Sequence, residues 1–282
     1  MQTLTEHPRP AAGAAPRHSD AHLATGVRLR YLEQGDPGGH PVILLHGLSD
    51  SSLSYAHVLP LLPAHLHVYA LDLRGHGDSE RPDAGYGMRD LAADVVALME
   101  AEGLPPATLV GHSLGSLVAQ QVALAAPERI ARLVLVGTGT TGRRIGDVEE
   151  LDAAIAALTD PVDPEFVRGF QEGTIHRPLP EGFVDRAVAE SLKLPARVWQ
   201  RLMAGMLATE PPTGLRGRGI PILMLWGDHD TVFSRAEQDA LLEMLPGAAL
   251  RVYADTGHAL HWERPAEFAR DLLEFIGGSA AG

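Results

Sequence analysis

Three side chains of this sequence, Ser113, Asp230 and His258, have the types and the chain order needed for nucleophilic attack on a carbonyl carbon. Ser113 lies in Gly111-His112-Ser113-Leu114-Gly115, after the apolar run Thr108-Leu109-Val110 and before the helix-like run Ser116 to Ala123. A chain that passes from strand to helix in so few residues must turn sharply at the serine. Side chains two residues to either side would collide across that turn, which accounts for Gly111 and Gly115. The turn aims the hydroxyl into a cleft. It also leaves backbone N–H groups at a helix N-terminus, where a developing oxyanion is stabilised.

A serine hydroxyl is a weak nucleophile, so it needs a base, and the base needs an orienting acid. Asp230 stands in the polar loop Gly227-Asp228-His229-Asp230 after the strand-like Leu223-Met224-Leu225-Trp226. His258 ends Asp255-Thr256-Gly257-His258, after the strand-like Ala249 to Tyr253. We assign Asp230 as the acid, because its later place in the loop lets the chain turn back towards the serine. We assign His258 as the base, because it follows a glycine at a strand end. Asp228 and His261 are the rival acid and base. The oxyanion donors are expected to be the N–H of Leu114 and the N–H of Leu48 in His46-Gly47-Leu48-Ser49-Asp50, where Gly47 permits close backbone approach. With 14 histidines in the chain most are bystanders, and His46, His76 and His112 are expected to support the motifs beside them. No paired ligand spacing marks a metal site, and the chemistry needs no cofactor.

The elements that position these groups alternate. Strands are expected at Val27 to Gln34, Val42 to Leu45, His67 to Leu71, Arg132 to Val136, Ile222 to Leu225 and Ala249 to Tyr253, with helices at 89–101, 116–126, 235–244 and 265–276. Such alternation implies an α/β fold with a mostly parallel sheet and its site at the carboxyl ends of the strands. The alternation lapses over 140–215, where helices are expected at 147–158, 164–171, 181–193 and 196–208, punctuated by prolines. That segment reads as a helical cap set into a core of residues 21–139 and 216–282, with 1–20 a mobile tail. In the cap, Phe166, Phe170, Trp199, Met203, Met206 and Leu207 recur at spacings that line one helical face, either as substrate wall or as packing. Trp262 is expected at the cleft rim. An apolar wall with few polar groups suits a bulky, hydrophobic ester.

Composition narrows the classes. With 23 basic and 36 acidic residues the net charge is −13, which argues against nucleic acid or anionic membrane as partner. The absence of cysteine excludes thiolate catalysis, disulfides and zinc–cysteine sites. Met1 to Asp20 has no apolar signal core and no apolar run reaches membrane-spanning length, so a cytoplasmic protein acting on a small-molecule ester or lactone is expected. Nothing in the composition fixes the oligomeric state.

His46-Gly47, Asp72-Leu73-Arg74-Gly75-His76-Gly77-Asp78-Ser79, Gly111 to Gly115 and Gly257-His258 together resemble the α/β-hydrolase superfamily over roughly residues 22–277. The resemblance implies an eight-stranded, mostly parallel sheet with helices on both faces, a lid after the sixth strand, and a structural role for Asp72 to Ser79. Ser113 departs from the aspartate nucleophile of the family's haloalkane dehalogenases and epoxide hydrolases, and all five tyrosines lie outside the cap, where epoxide hydrolases use lid tyrosines. Leu48-Ser49-Asp50-Ser51-Ser52 departs from the Gly-Pro-Gly type loop of the carbon–carbon bond hydrolases. Acyl-ester cleavage is what remains. The His46 to Ser52 loop, with Asp160 to Arg168 and Ser191 to Trp199, is further similar to serine-dependent macrolide esterases, which open the lactone of large-ring antibiotics. The same three residues serve a general carboxylesterase or small-lactone hydrolase, as well as amide, thioester or peracid chemistry. A ligand receptor that keeps the fold is the alternative of a different class.

Overall fold

Strands that are apolar along their whole length must be covered on both faces. Accordingly β3 (His40–Leu45), β4 (Leu66–Leu71) and β5 (Ala107–His112) lie inside the sheet and are almost wholly buried. The computed structural model describes residues 16–278. The remaining strands are β1 (Arg17–His22), β2 (Arg28–Gly35), β6 (Ile130–Val136), β7 (Ile222–Gly227) and β8 (Ala249–Tyr253). They form one eight-stranded sheet in the order β1-β2-β4-β3-β5-β6-β7-β8. β2 runs antiparallel to β1 and β4, and every other pairing is parallel. This is the α/β-hydrolase architecture that the resemblance implied.

Alternate residues of a strand face opposite sides, and two apolar clusters result. Ile43, Leu45, Leu109, Leu133 and Leu135 pack under α1 (Met88–Ala101) and α2 (Leu114–Ala125). Val42, Leu44, Val110, Val134 and Leu225 pack under the C-terminal helices, through Leu260, Phe268 and Leu272.

Between β6 and β7 the chain forms α3 (Val148–Ala156), α4 (Pro164–Glu172), α5 (Phe183–Ser191) and α6 (Ala196–Leu207), the helices of the cap. α4 starts where Asp163 Oδ1 accepts the Glu165 N–H at 2.9 Å, with Pro164 in the first turn, where its missing N–H costs nothing. Val167, Val198, Trp199, Leu202 and Met203 are fully buried and join the same cluster as α1 and α2. The cap is therefore packed onto the core through continuous apolar contact. Beyond it come α7 (Arg235–Met244), α8 (Leu260–Glu263) and α9 (Pro265–Gly277).

The sheet begins earlier than expected. Residues 17–20, placed in the tail from sequence, pair with β2 from Arg17↔Glu33 to Asp20↔Arg30. Asp20 holds Arg30 at 2.7 Å, and Arg17 reaches Glu33 at 2.9 Å. A polar edge strand held by ion pairs has no hydropathy signature, so pattern alone read it as tail. Residues 1–15 lie outside the described residues.

Candidate active site

The carboxyl ends of β5, β7 and β8 stand side by side, since Gly111 is in register with Leu135, Val136 with Leu225, and Gly227 with Tyr253. Each end carries one of the three residues singled out from sequence. Ser113 bridges β5 and α2 with φ 52° and ψ −119°, a conformation that non-glycine residues rarely adopt. Backbone strain of this kind costs on the order of 1–3 kcal/mol and persists only where the surroundings hold it. Here Ser113 N–H donates to Val136 O at 3.0 Å, and the Ser116 hydroxyl donates back to Ser113 O at 2.6 Å. A Cβ on Gly111 would strike the Gly115 backbone, and one on Gly115 would strike His46 O, so the turn admits glycine alone at both places.

Asp230 and His258 meet as assigned. His258 Nδ1 donates to Asp230 Oδ2 at 2.9 Å, and both side chains are buried. The other carboxylate oxygen accepts the N–H groups of Val232 (2.8 Å) and Phe233 (2.9 Å), so the acid is fixed on both sides. Gly137, at φ +49°, leaves space for the imidazole, because a Cβ there would stand 2.8 Å from His258 Nδ1. Among the described residues neither His258 Nε2 nor the Ser113 hydroxyl has a hydrogen-bond partner. Both residues line one cavity of about 480 Å³.

The rivals occupy other places. Asp228 is exposed, and its carboxylate accepts the Thr256 N–H at 3.4 Å and lies 4.0 Å from His229 Nε2. His261 is bound to the Ser54 hydroxyl at 2.9 Å and burial pushes it down to about 3. The three motif histidines are supports. His46 Nδ1–H donates to Gly47 O at 2.7 Å while Nε2 accepts the Leu73 N–H at 3.0 Å, and burial lowers it to about 4. His76 packs edge-on against His46. His112 Nε2–H donates to His258 O at 3.2 Å, and burial holds His112 well below the ordinary imidazole range. In the Asp72 to Ser79 loop, Asp72 accepts the N–H groups of Ser52 (2.7 Å) and Asp78 (2.9 Å), a structural role.

The N–H groups of Leu48 and Leu114 donate to no described residue. Leu114 is the first residue of α2, where helix N–H groups have no partner within the helix. Leu48 lines the cavity.

Of the cap residues expected to line the cavity, Phe170 and Met206 do so, and Trp262 joins them from the core. Phe166, Trp199 and Met203 do not. Trp199 is fully buried between the edges of Phe166 (5.7 Å) and Phe170 (5.2 Å), and Met203 is sealed in the apolar cluster. The face of α6 that carries them turns down onto the core, because burying it there removes the largest apolar area from water. Leu207 packs against the same cluster.

Sequence reasoning expected the helix at 147–158 but not that α3 contributes Leu151 and Ala154 to the wall, and it missed Asp50 and Gln171. Burial pushes the Asp50 carboxyl up to about 7, against hydrogen bonds from Gln171, Ser54 and the Gly47 backbone and the field of His258, which pull it down. Its place four residues after His46 in a motif loop was the available signal. Outside the cavity lining, His176, His229 and Asp255 bring metal-ligating types together on the surface. There His176 Nε2 lies 3.1 Å from Asp255 Oδ1, and Arg177 already pairs with Asp255.

Comparison with known proteins agrees with this fold. The chain is 30% identical to epoxide hydrolase A of Mycobacterium tuberculosis over 307 aligned residues, covering 90% of this chain and 95% of that protein. It is also 30% identical to a non-heme chloroperoxidase of Streptomyces lividans, with 89% and 96% covered. The crystal structure of an esterase from Rhodococcus sp. ECU1013 superposes with a TM-score of 0.82 at 29% identity, covering 93% of this chain and 98% of that one. No described helix is long and apolar enough to cross a membrane. The model of the alpha/beta hydrolase family matches residues 42–271, and with the elbow at Ser113 and the strand order above, the chain belongs to that family.

Proposed function

We propose that the protein is a serine hydrolase that cleaves carboxylic esters or lactones through an acyl-enzyme. The observation that carries this reading is the Asp230–His258 hydrogen bond, which commits Nδ1 and leaves Nε2 open in the cavity that Ser113 shares. Ser113 Oγ attacks the carbonyl carbon and passes its proton to His258 Nε2. The negative charge that forms on the carbonyl oxygen is held by the N–H groups of Leu48 and Leu114. The C–O bond breaks and His258 returns the proton to the leaving alcohol. A water molecule then attacks the acyl carbon, His258 takes its proton and gives it to Ser113 Oγ, and the free acid leaves. Asp230 keeps the imidazole in one tautomer and stabilises its charged form. In a lactone the alcohol and the acid leave as one molecule.

A serine nucleophile favours this over epoxide opening, which in this family uses a carboxylate. A volume of about 480 Å³ falls in the range of pockets that enclose a small organic ligand. Ile145, Leu151, Phe170, Met206 and Val232 give it apolar walls suited to a bulky ester. A macrolide lactone is the finest version of the reading, and it requires the ring edge inside the cavity with the rest of the molecule at its mouth.

A fluorophosphonate probe followed by a panel of p-nitrophenyl esters, lactones and macrolides tests the proposal. A Ser113 adduct and ester turnover are expected. Folded protein that forms no adduct and cleaves no ester would sink the reading in favour of a ligand receptor. Rapid cleavage of simple esters with macrolides left intact would remove the macrolide version alone.

A further inference from the structure

Gln171 belongs to α4 of the cap, is buried, and follows directly on Phe170 of the cavity wall. Its amide nitrogen lies 3.0 Å from Asp50 Oδ1, 2.8 Å from Ser191 Oγ in α5, and 3.2 Å from Ser49 Oγ. Above its raised value of about 7 the Asp50 carboxylate only accepts, so the NH₂ end of the amide faces it. The Ser191 hydroxyl donates to Ala187 O at 2.9 Å. It thus accepts from Gln171, and the Ser49 hydroxyl, 3.1 Å away, donates to it.

Ser49 and Asp50 form the end of the turn that carries Leu48. Ser49 sits at φ 65°, in the left-handed region, which a serine holds only under outside constraint. Within the turn, Asp50 N–H donates to Gly47 O at 3.3 Å and the Asp50 carboxylate receives a backbone hydrogen bond from Gly47. From the rest of the core, Asp50 receives the Ser54 hydroxyl at 3.4 Å. The shorter side-chain contacts on Ser49 and Asp50 come from the cap.

We propose that Gln171 is a positioning residue, which ties Ser49 and Asp50 to α4 and α5 and so holds the Leu48 N–H where the oxyanion forms. The proposal rests on the serine-hydrolase reading above. It makes the cap a working part of the oxyanion site as well as its wall.

Gln171→Leu removes both donors at nearly constant volume. Its kcat on a p-nitrophenyl ester is expected to fall at least about tenfold with KM changed less than about threefold, the split for an interaction made in the transition state. Amide hydrogen exchange across residues 46–50 is expected to quicken in the same variant. Gln171→Glu is the conservative check. A glutamate at this place donates only when protonated, and two carboxyls so close share one proton. Its kcat relative to the unaltered protein is therefore expected to rise as pH falls from about 8 to about 5. The titratable groups facing this pair are His258, His112 and, through Ser54, His261, with Glu190 of α5 already paired to Lys193. They are the same in both proteins and largely cancel in the ratio.

Unchanged kcat and unchanged exchange in Gln171→Leu would overturn the proposal, as would a rise in KM alone. If the unaltered protein cleaves no ester, the serine-hydrolase reading falls. The exchange measurement then still decides whether Gln171 holds the turn.

Discussion

The cavity has two sides built by different means. On the core side, backbone geometry places the groups proposed to react: a strained φ at Ser113, glycines at 111, 115 and 137, and two N–H groups on Asp230. On the cap side, α3, α4 and α6 place Leu151, Phe170 and Met206 by packing, and Gln171 and Ser191 provide buried polar links to the turn that carries Leu48. Groups set by backbone tolerate almost no change in residue type. Groups set by packing tolerate change at the price of volume and stability. On the proposed reading, chemistry resides on the rigid side and substrate choice on the adaptable side.

The comparison breaks first at Ser113. Ser113→Ala is expected to lower ester turnover by roughly four orders of magnitude or more while leaving the melting temperature unchanged or raised, because the unpartnered hydroxyl contributes to reaction and not to folding. Steady-state kinetics beside a thermal melt checks this. Asp230→Asn is expected to cost about 10⁴ in kcat, since an amide no longer enforces the same imidazole tautomer. A loss of tenfold or less would mean that the Asp230–His258 bond only packs.

On the cap side the expected losses are of another kind. Trp199→Ala is expected to destabilise by about 3–5 kcal/mol in denaturant unfolding, as a cavity opens between Phe166 and Phe170. Its kcat should change far less than its stability.

Asp50 joins the two sides and gives a pH test. Its carboxyl is raised from 3.8 to about 7, so the folded chain keeps a proton that the unfolded chain has released across that window. Stability contributed by this group is present at acid pH and is lost as pH rises towards about 7, by up to roughly 4 kcal/mol. Asp50→Asn is expected to flatten that part of the stability–pH curve. Parallel curves for the two proteins would show that the charge is compensated. The smallest effect is expected from Phe170→Ala, with KM for a bulky ester raised about tenfold, the worth of one apolar contact, and kcat kept within a few-fold.

Much of this is legible in the amino-acid order. The elbow, the order of acid and base, and most strands and helices can be read because each needs a particular residue at a particular spacing. The helix expected over 164–171 is observed over Pro164–Glu172, its start marked by Asp163 and Pro164. β1 is not legible, because ion pairs hold it to β2. The division of Phe166, Phe170, Trp199 and Met203 between wall and packing is not legible either, since periodicity marks an apolar face without saying what it meets. Gln171 carries no signal, because an isolated glutamine in a helix looks like any solvated one.

By itself the sequence determined the sheet, the sharp turn at 113 and the types of group available for chemistry, because these depend on local geometry and on periods of two and 3.6 residues. Tertiary structure alone decided that Trp199 is sealed away from the cavity, and that a cap amide reaches Asp50 over 121 residues. Those outcomes depend on how distant surfaces fit once apolar area is buried, and no local pattern encodes that fit.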